Sequence, residues 1–117
     1  NCILIGSSKP ENNKIGELNI IETILIDEFL VNNWDLKYEE YFLIMKKLSK
    51  KYMNTLFLIS AGPLSGIFIH HLYLSNPNNI YLDVGSSIDI FTKNKMTREY
   101  QYKNIENIEV KDLPIIL

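Results

Sequence analysis

Three stretches of this chain put glycine, hydroxyl and carboxylate groups where an apolar run gives way to a turn. They are Gly6-Ser7-Ser8, Ser60-Ala61-Gly62-Pro63-Leu64-Ser65, and Asp83-Val84-Gly85-Ser86-Ser87-Ile88-Asp89. In the second, a helix opening at Pro63 would offer unpaired backbone N–H groups and roughly half a positive charge, which favours a phosphate or a carboxylate. Gly62 would let such a ligand come close, and the Ser65 hydroxyl adds a donor in the first turn. The structural alternative is that Gly62 only permits a tight strand-to-helix turn. The spacing is neither Gly-x-Gly-x-x-Gly nor a P-loop, so neither motif supports a cofactor here.

Asp83 and Asp89 bracket Gly85, Ser86 and Ser87. Their carboxylates could accept hydrogen bonds from ribose or sugar hydroxyls, bind a divalent ion such as Mg²⁺ or Mn²⁺, or serve as a general base. They could equally cap backbone N–H groups and close a turn. No residue is assigned as a metal ligand: His70 and His71 are neighbours on a helix, point in different directions and have no partner at ligand spacing. Arg98 is the single arginine, and a guanidinium can clamp a diphosphate at two points; otherwise it is a solvated loop charge. Asn32-Asn33-Trp34 offers an indole that could stack on a base or sugar, or anchor its loop against the core.

The elements that would position these groups follow from apolar patterning. Residues 2–5, 20–26, 55–61 and 80–84 are short apolar runs, the second of them largely β-branched, and read as strands, while polar residues 9–16, with Pro10 and paired asparagines, read as a loop. Behind Asp35, placed as an N-cap, Tyr38, Tyr41, Phe42, Met45, Leu48 and Tyr52 recur at helical spacing. Lys46, Lys47, Lys50 and Lys51 crowd its last turns, complementing the helix dipole. A second helix runs from Pro63 with a stripe of Leu64, Ile67, Phe68, His71 or Leu72, and Leu74, and stops at Ser75-Asn76-Pro77.

Strand, loop, strand, helix, strand, helix, strand predicts an α/β fold, a Rossmann-like three-layer unit with a short, mainly parallel sheet of about four strands and flanking helices. In such sheets ligands bind beyond the carboxyl ends of the strands, which is where all three stretches fall. Residues 1–117 make one domain, with 1–89 as its core and 90–117 as an irregular C-terminal segment whose last ten residues regain apolar character.

Composition narrows the partners. A net charge of -2 with both signs interspersed lacks the basic footprint of a nucleic-acid binder. No apolar run reaches the ~20 residues of a membrane span, and no secretory leader opens the chain. Cys2 is the single cysteine and reads as a small core residue of a reducing compartment, so a cytoplasmic location is expected. Starting at Asn1 and directly in a strand, the chain reads as part of a longer polypeptide.

The run Leu56-Phe57-Leu58-Ile59-Ser60-Ala61-Gly62-Pro63-Leu64, a helix, and then Tyr81-Leu82-Asp83-Val84-Gly85-Ser86-Ser87-Ile88-Asp89 resembles the closing section of glycosyltransferases with the GT-D fold. Asn33-Trp34-Asp35 and the strand ending at Gly6 are similar to earlier parts of that family, and Thr97-Arg98-Glu99-Tyr100 to an arginine-containing stretch that follows. The resemblance implies a Rossmann-like fold that binds a nucleotide-diphosphate sugar and transfers the sugar to a hydroxyl of a glycan or other acceptor. It carries Gly62, Pro63, Asp83, Gly85 and Asp89 as matching positions. Gly6, Ser7, Ser65 and Ser86 join them as candidate substrate-binding residues from their places on the same edge, and Arg98 joins through the resemblance of its stretch. The family's acidic catalytic and metal-binding motif belongs to an N-terminal half outside this chain, so catalytic residues are unassigned and the chain alone is expected to be inactive. The alternative is a non-catalytic Rossmann-like interaction module that uses the tyrosine-rich helix and the apolar tail as interface. A phosphatase or nucleotide hydrolase would need a nucleophile beside an acid-base partner, and no such pair stands out.

Overall fold

The computed structural model describes residues 1–27 and 29–89. Arg98 and the apolar end of the C-terminal segment lie outside the described residues. Five strands form one sheet: β1 (Cys2–Gly6), β2 (Lys14–Ile15), β3 (Leu18–Leu25), β4 (Leu56–Ser60) and β5 (Ile80–Asp83). Their spatial order is β2-β3-β1-β4-β5, with β2 antiparallel to β3 and the remaining pairs parallel. Between β3 and β4 runs α1 (Trp34–Lys51), and between β4 and β5 runs α2 (Ser65–Ser75). Each helix is preceded by a short 3₁₀ turn, Leu30–Asn33 and Gly62–Leu64.

The α/β reading of the sequence is therefore what the chain adopts. Both helical crossovers advance in the same direction across the sheet, so a single crossover hand puts both helices on one face. There Met45 and Leu48 of α1 and Phe68 and Leu72 of α2 pack on Ile3, Ile5, Phe57 and Ile59. The β1-to-β3 connection steps the opposite way, and the same hand sends it to the other face. Its Ile15 packs there with Cys2, Leu4, Ile20, Leu58, Val84 and Ile88. Alternate residues of β1 and β4 thus feed two cores, which is why these strands lack the apolar-polar alternation of a half-buried strand. Cys2 is fully buried in the second core, and burial pushes its thiol pKa up. Among the described residues no helix is long and apolar enough to cross a membrane.

Several local expectations shift. The 9–16 loop contains β2, whose Lys14 and Ile15 pair with Asn19 and Leu18. The helix starts one residue ahead of Asp35; Asn33 is its N-cap, its side chain donating back to Phe29 O instead of capping the helix, and Asp35 lies in the first turn, where its charge still complements the dipole. Through the 3₁₀ turn and α2 the buried apolar stripe is Leu64, Phe68 and Leu72, whereas Ile67 and Leu74 face outward. His71 stacks on Phe42 with ring centroids 3.7 Å apart, and burial followed by the nearby His70 charge lowers its pKa. Of the pair His71 and Leu72, Leu72 is the fully buried one and His71 is only partly buried.

A β-bulge breaks the β1–β3 register: Cys2 pairs with Ile20 but Ile3 pairs with Glu22, which leaves Ile21 extra. Without it Glu22 would share the face of Ile20; with it, Glu22 and Ile24 turn toward the helices. Tyr52 donates its hydroxyl to Glu22 Oε2 at 2.5 Å, and the Lys51 ammonium lies 3.1 Å from Oε1. Desolvation pulls the Glu22 pKa up, but hydrogen bonds from Tyr52 and Lys51 and the Lys51 charge outweigh it, so the net shift is downward. A lowered carboxylate adds stability above its unfolded pKa and loses it as pH falls through the folded one. Tyr52→Phe is accordingly expected to cost about 1 kcal/mol at neutral pH, with the difference shrinking in acid. Urea unfolding of both proteins across the acid range checks this, and a pH-independent difference would contradict it.

Candidate functional site

The strand order creates one position where consecutive connections leave to opposite sides of the sheet. That position is between β1, whose chain departs toward β3, and β4, whose chain departs toward β5. Such a switch point opens a crevice at the carboxyl edge because neither loop covers it. A cavity of about 540 Å³ lies here. Its wall is built from the ends of all four parallel strands: Ser7 after β1; Ile26, Asp27, Leu30 and Val31 after β3; Ser60 through Leu64 after β4; and Gly85, Ser86 and Asp89 after β5.

Backbone bonds hold these corners together. Gly6 O accepts from the Ile26 N–H at 2.8 Å, and Ile59 O accepts from the Val84 N–H at 2.9 Å, extending the sheet ladder past the formal strand ends. Ser60 donates its hydroxyl to Gly85 O at 2.6 Å and so straps the β5 turn to the end of β4. The chain reverses at Gly62 and Gly85 with φ of +56° and +54°, the left-handed region that glycine enters without a Cβ penalty. An added Cβ at either glycine would meet nothing within 4 Å, so conformation and not space requires the glycine.

The helix start differs from its expected role. Ser65 is fully buried and is not on the cavity wall; its Oγ accepts from the Ala61 N–H at 2.9 Å. The Leu64 N–H donates to Ala61 O at 3.1 Å, the Ser65 N–H donates to Gly62 O, and Pro63 has no N–H. Most donors of this turn are thus spent on closing it, and Ser65 is a clamp of the turn instead of a ligand contact. Asp83 is exposed and absent from the wall as well: its Oδ1 accepts from the Gly85 N–H at 3.0 Å, the turn-closing alternative. Gly6 lines a smaller recess behind the cavity with Ser7, Ser60 and Asp89.

The structure brings Ser7, Gly62, Pro63, Gly85, Ser86 and Asp89 to one cavity. Asp89 is only 4 % exposed although it follows a turn, because Ile88 and Val84 anchor that turn into the second core. Unforeseen are Ile26, Asp27, Leu30 and Val31. The available signal was position, since Asp27 is the first polar residue after the β3 run and so must fall on the carboxyl edge. Trp34 takes the anchoring role: it packs against Phe68, Phe42 and Tyr38 with centroids 5.9, 5.5 and 6.2 Å away, clear of the cavity wall.

Electrostatically, the described wall carries two carboxylates, Asp27 and Asp89, three serine hydroxyls and no lysine, arginine or histidine. Such a surface accepts hydrogen bonds from a hydroxylated ligand and offers little to a bare anion. Among the described residues no group of three or more His, Cys, Asp or Glu could hold a metal ion, so Mg²⁺ or Mn²⁺ is not assigned to side chains here.

These features define a parallel α/β unit of Rossmann-like form with a ligand-sized crevice at its topological switch point. No family model, curated protein or solved structure matches the chain.

Proposed function

We propose that this chain is the donor-binding portion of a glycosyltransferase, and that the cavity receives a nucleotide-diphosphate sugar whose sugar passes to a hydroxyl acceptor. The observation that carries the reading is the convergence of Ser7, Ser60, Ser86, Asp27 and Asp89 on one cavity at the carboxyl edge. Hydroxyls and carboxylates from four strand ends suit a ligand bearing many hydroxyls. The resemblance of the Gly62-Pro63 and Asp83-Val84-Gly85 segments to GT-D enzymes supplies the chemical class.

Transfer breaks the anomeric C–O bond to the diphosphate and forms one to the acceptor oxygen, whose proton goes to a base. The diphosphate leaves with both bonding electrons. That base and the acidic motif are assigned to a preceding portion of the same polypeptide, so this chain supplies binding and orientation. With two carboxylates on the described wall, the diphosphate is expected to enter as its magnesium complex or with Arg98 as counter-charge.

The test is amide NMR of the whole chain titrated with uridine 5′-diphosphate and Mg²⁺. Shifts should concentrate at Ser7, Gly62, Gly85, Ser86 and Asp89 and spare Asn76 to Asn79. Silence at millimolar ligand, or shifts gathered elsewhere, would sink the reading.

The interaction-module reading draws on large apolar side chains exposed on the helices, with Leu36 at 84 %, Leu74 at 66 % and Leu43 at 53 %. It expects the chain to self-associate through α1. Sedimentation as a monomer at high concentration would remove it.

A further inference from the structure

We infer that the outer face of α1 binds a second copy of this chain, with the two helices antiparallel across a twofold axis at Leu43. The inference rests on the interaction reading above only in using α1 as the interface, and it asks nothing of the cavity. Helix α1 packs inward through Tyr41, Met45 and Leu48. By the 3.6-residue repeat, Leu36, Glu40, Leu43, Lys47 and Lys50 fall on the opposite side, with Glu39 and Lys46 beside them. Leu36 and Leu43 are 84 % and 53 % exposed and lie in line, two turns apart, on a face otherwise made of charges.

Those charges are sorted by sign along the axis: Glu39 and Glu40 precede Leu43, and Lys46, Lys47 and Lys50 follow it. A helix that satisfies its own charges sets Lys four residues after Glu, but the residues four after Glu39 and Glu40 are Leu43 and Ile44. Glu40 reaches back to Lys37 at 3.9 Å, and among the described residues Lys46 and Lys47 make no ion pair. The helix dipole does not explain the sorting, because it acts within the first and last turns, where Asp35, Lys50 and Lys51 already answer it.

An antiparallel copy supplies the missing partners. With Leu43 on the axis, positions equally far before and after it meet, so Leu43 packs on the partner's Leu43 while Glu39 faces the partner's Lys47 and Glu40 the partner's Lys46. Leu36 then lies along the aliphatic stem of the partner's Lys50. Each of these contacts except the central one occurs twice, as an isologous interface requires. A crossing angle of about 20° keeps helices aligned over this span. A parallel pair would set Glu39 and Glu40 against their own copies, so the order of charge selects the direction.

The test is sedimentation equilibrium of the whole chain at concentrations rising into the millimolar range, since so small a contact belongs with weak interfaces. The chain should show a monomer–dimer equilibrium. Leu43→Glu, which places like charges on the axis, should weaken it at least about tenfold. Two charge-reversed chains, one with Glu39→Lys and Glu40→Lys and the other with Lys46→Glu and Lys47→Glu, should each be monomeric alone and pair when mixed in equal amounts. Amide spectra altered only around α1 report that the variants are folded. A mixture that stays monomeric while Leu43→Glu still blocks self-association overturns the antiparallel register and leaves α1 as an interface. A dimer indifferent to Leu43→Glu overturns the inference by placing the contact elsewhere. A chain that is monomeric throughout overturns both this pairing and the interaction reading.

Discussion

Asn76→Ala is expected to destabilise the chain by about 2 to 3 kcal/mol, lowering Tm by about 10 to 20 °C. The reason is a polar clasp at the amino edge of the sheet, opposite the cavity. Helix α1 ends with carbonyls that have no partner within the helix, and the chain continues from Tyr52 in an extended conformation. Asn76 donates through Nδ2 to Ser49 O and Tyr52 O, both at 2.8 Å, and its Oδ1 accepts from the Asn78 N–H at 3.0 Å. Asn79 donates to the same two carbonyls at 3.1 and 3.2 Å, while its Oδ1 holds the Thr55 N–H at 3.0 Å. Tyr81 completes the clasp by donating to Asn76 O at 2.6 Å.

Both asparagines are 8 % exposed, so water cannot easily replace what is removed. Because each carbonyl has a donor from both residues, the first substitution is partly compensated. The double variant Asn76→Ala with Asn79→Ala should therefore lose more than the sum of the single losses. Thermal and urea unfolding of the three variants measures this directly, and strict additivity would mean that the carbonyls are satisfied some other way. At temperatures where Asn76→Ala remains folded, nucleotide affinity should be unchanged, since the clasp stands at the other end of the strands.

Gly62→Val should have the opposite profile, with modest destabilisation and at least about a tenfold loss of nucleotide affinity, roughly 1.4 kcal/mol. At φ +56° a branched side chain costs about 1 to 2 kcal/mol, and relief of that strain would move the Ala61–Leu64 turn that forms one side of the cavity. Gly66→Ala is the matched control. That glycine is exposed in α2 with nothing within 4 Å of its would-be Cβ, so alanine there should add up to about 1 kcal/mol of stability and leave binding alone. Calorimetric titration with uridine 5′-diphosphate and Mg²⁺ separates the two glycines. Full affinity in Gly62→Val would show that this turn does not shape the site.

The contrast between those two variants bears on what a reader of the chain alone can know. The existence and order of the four parallel strands and the two helices were legible, because residues 2–5 and 56–59 are continuously apolar and the Gly62-Pro63 and Asn76-Pro77 pairs punctuate a helix between strands, whereas β2 was not. That Gly62 and Gly85 make turns at the carboxyl edge was legible too. Their partners were less so. Ser65 and Asp83 carry groups suited to a ligand, yet each spends them on a backbone N–H a few residues away, since local hydrogen bonds compete with any external partner.

What the sequence determined by itself is the parallel α/β character and the edge on which a site must lie, because apolar period and turn chemistry are local properties of consecutive residues. Only the tertiary structure decided that β3 sits beside β1, that a bulge at Ile21 turns Glu22 toward Tyr52, and that Asp27 and Val31 share a cavity with Asp89. Those facts depend on strand order and pairing register, which are set by how distant segments bury surface against one another and so are not written at any single place along the chain.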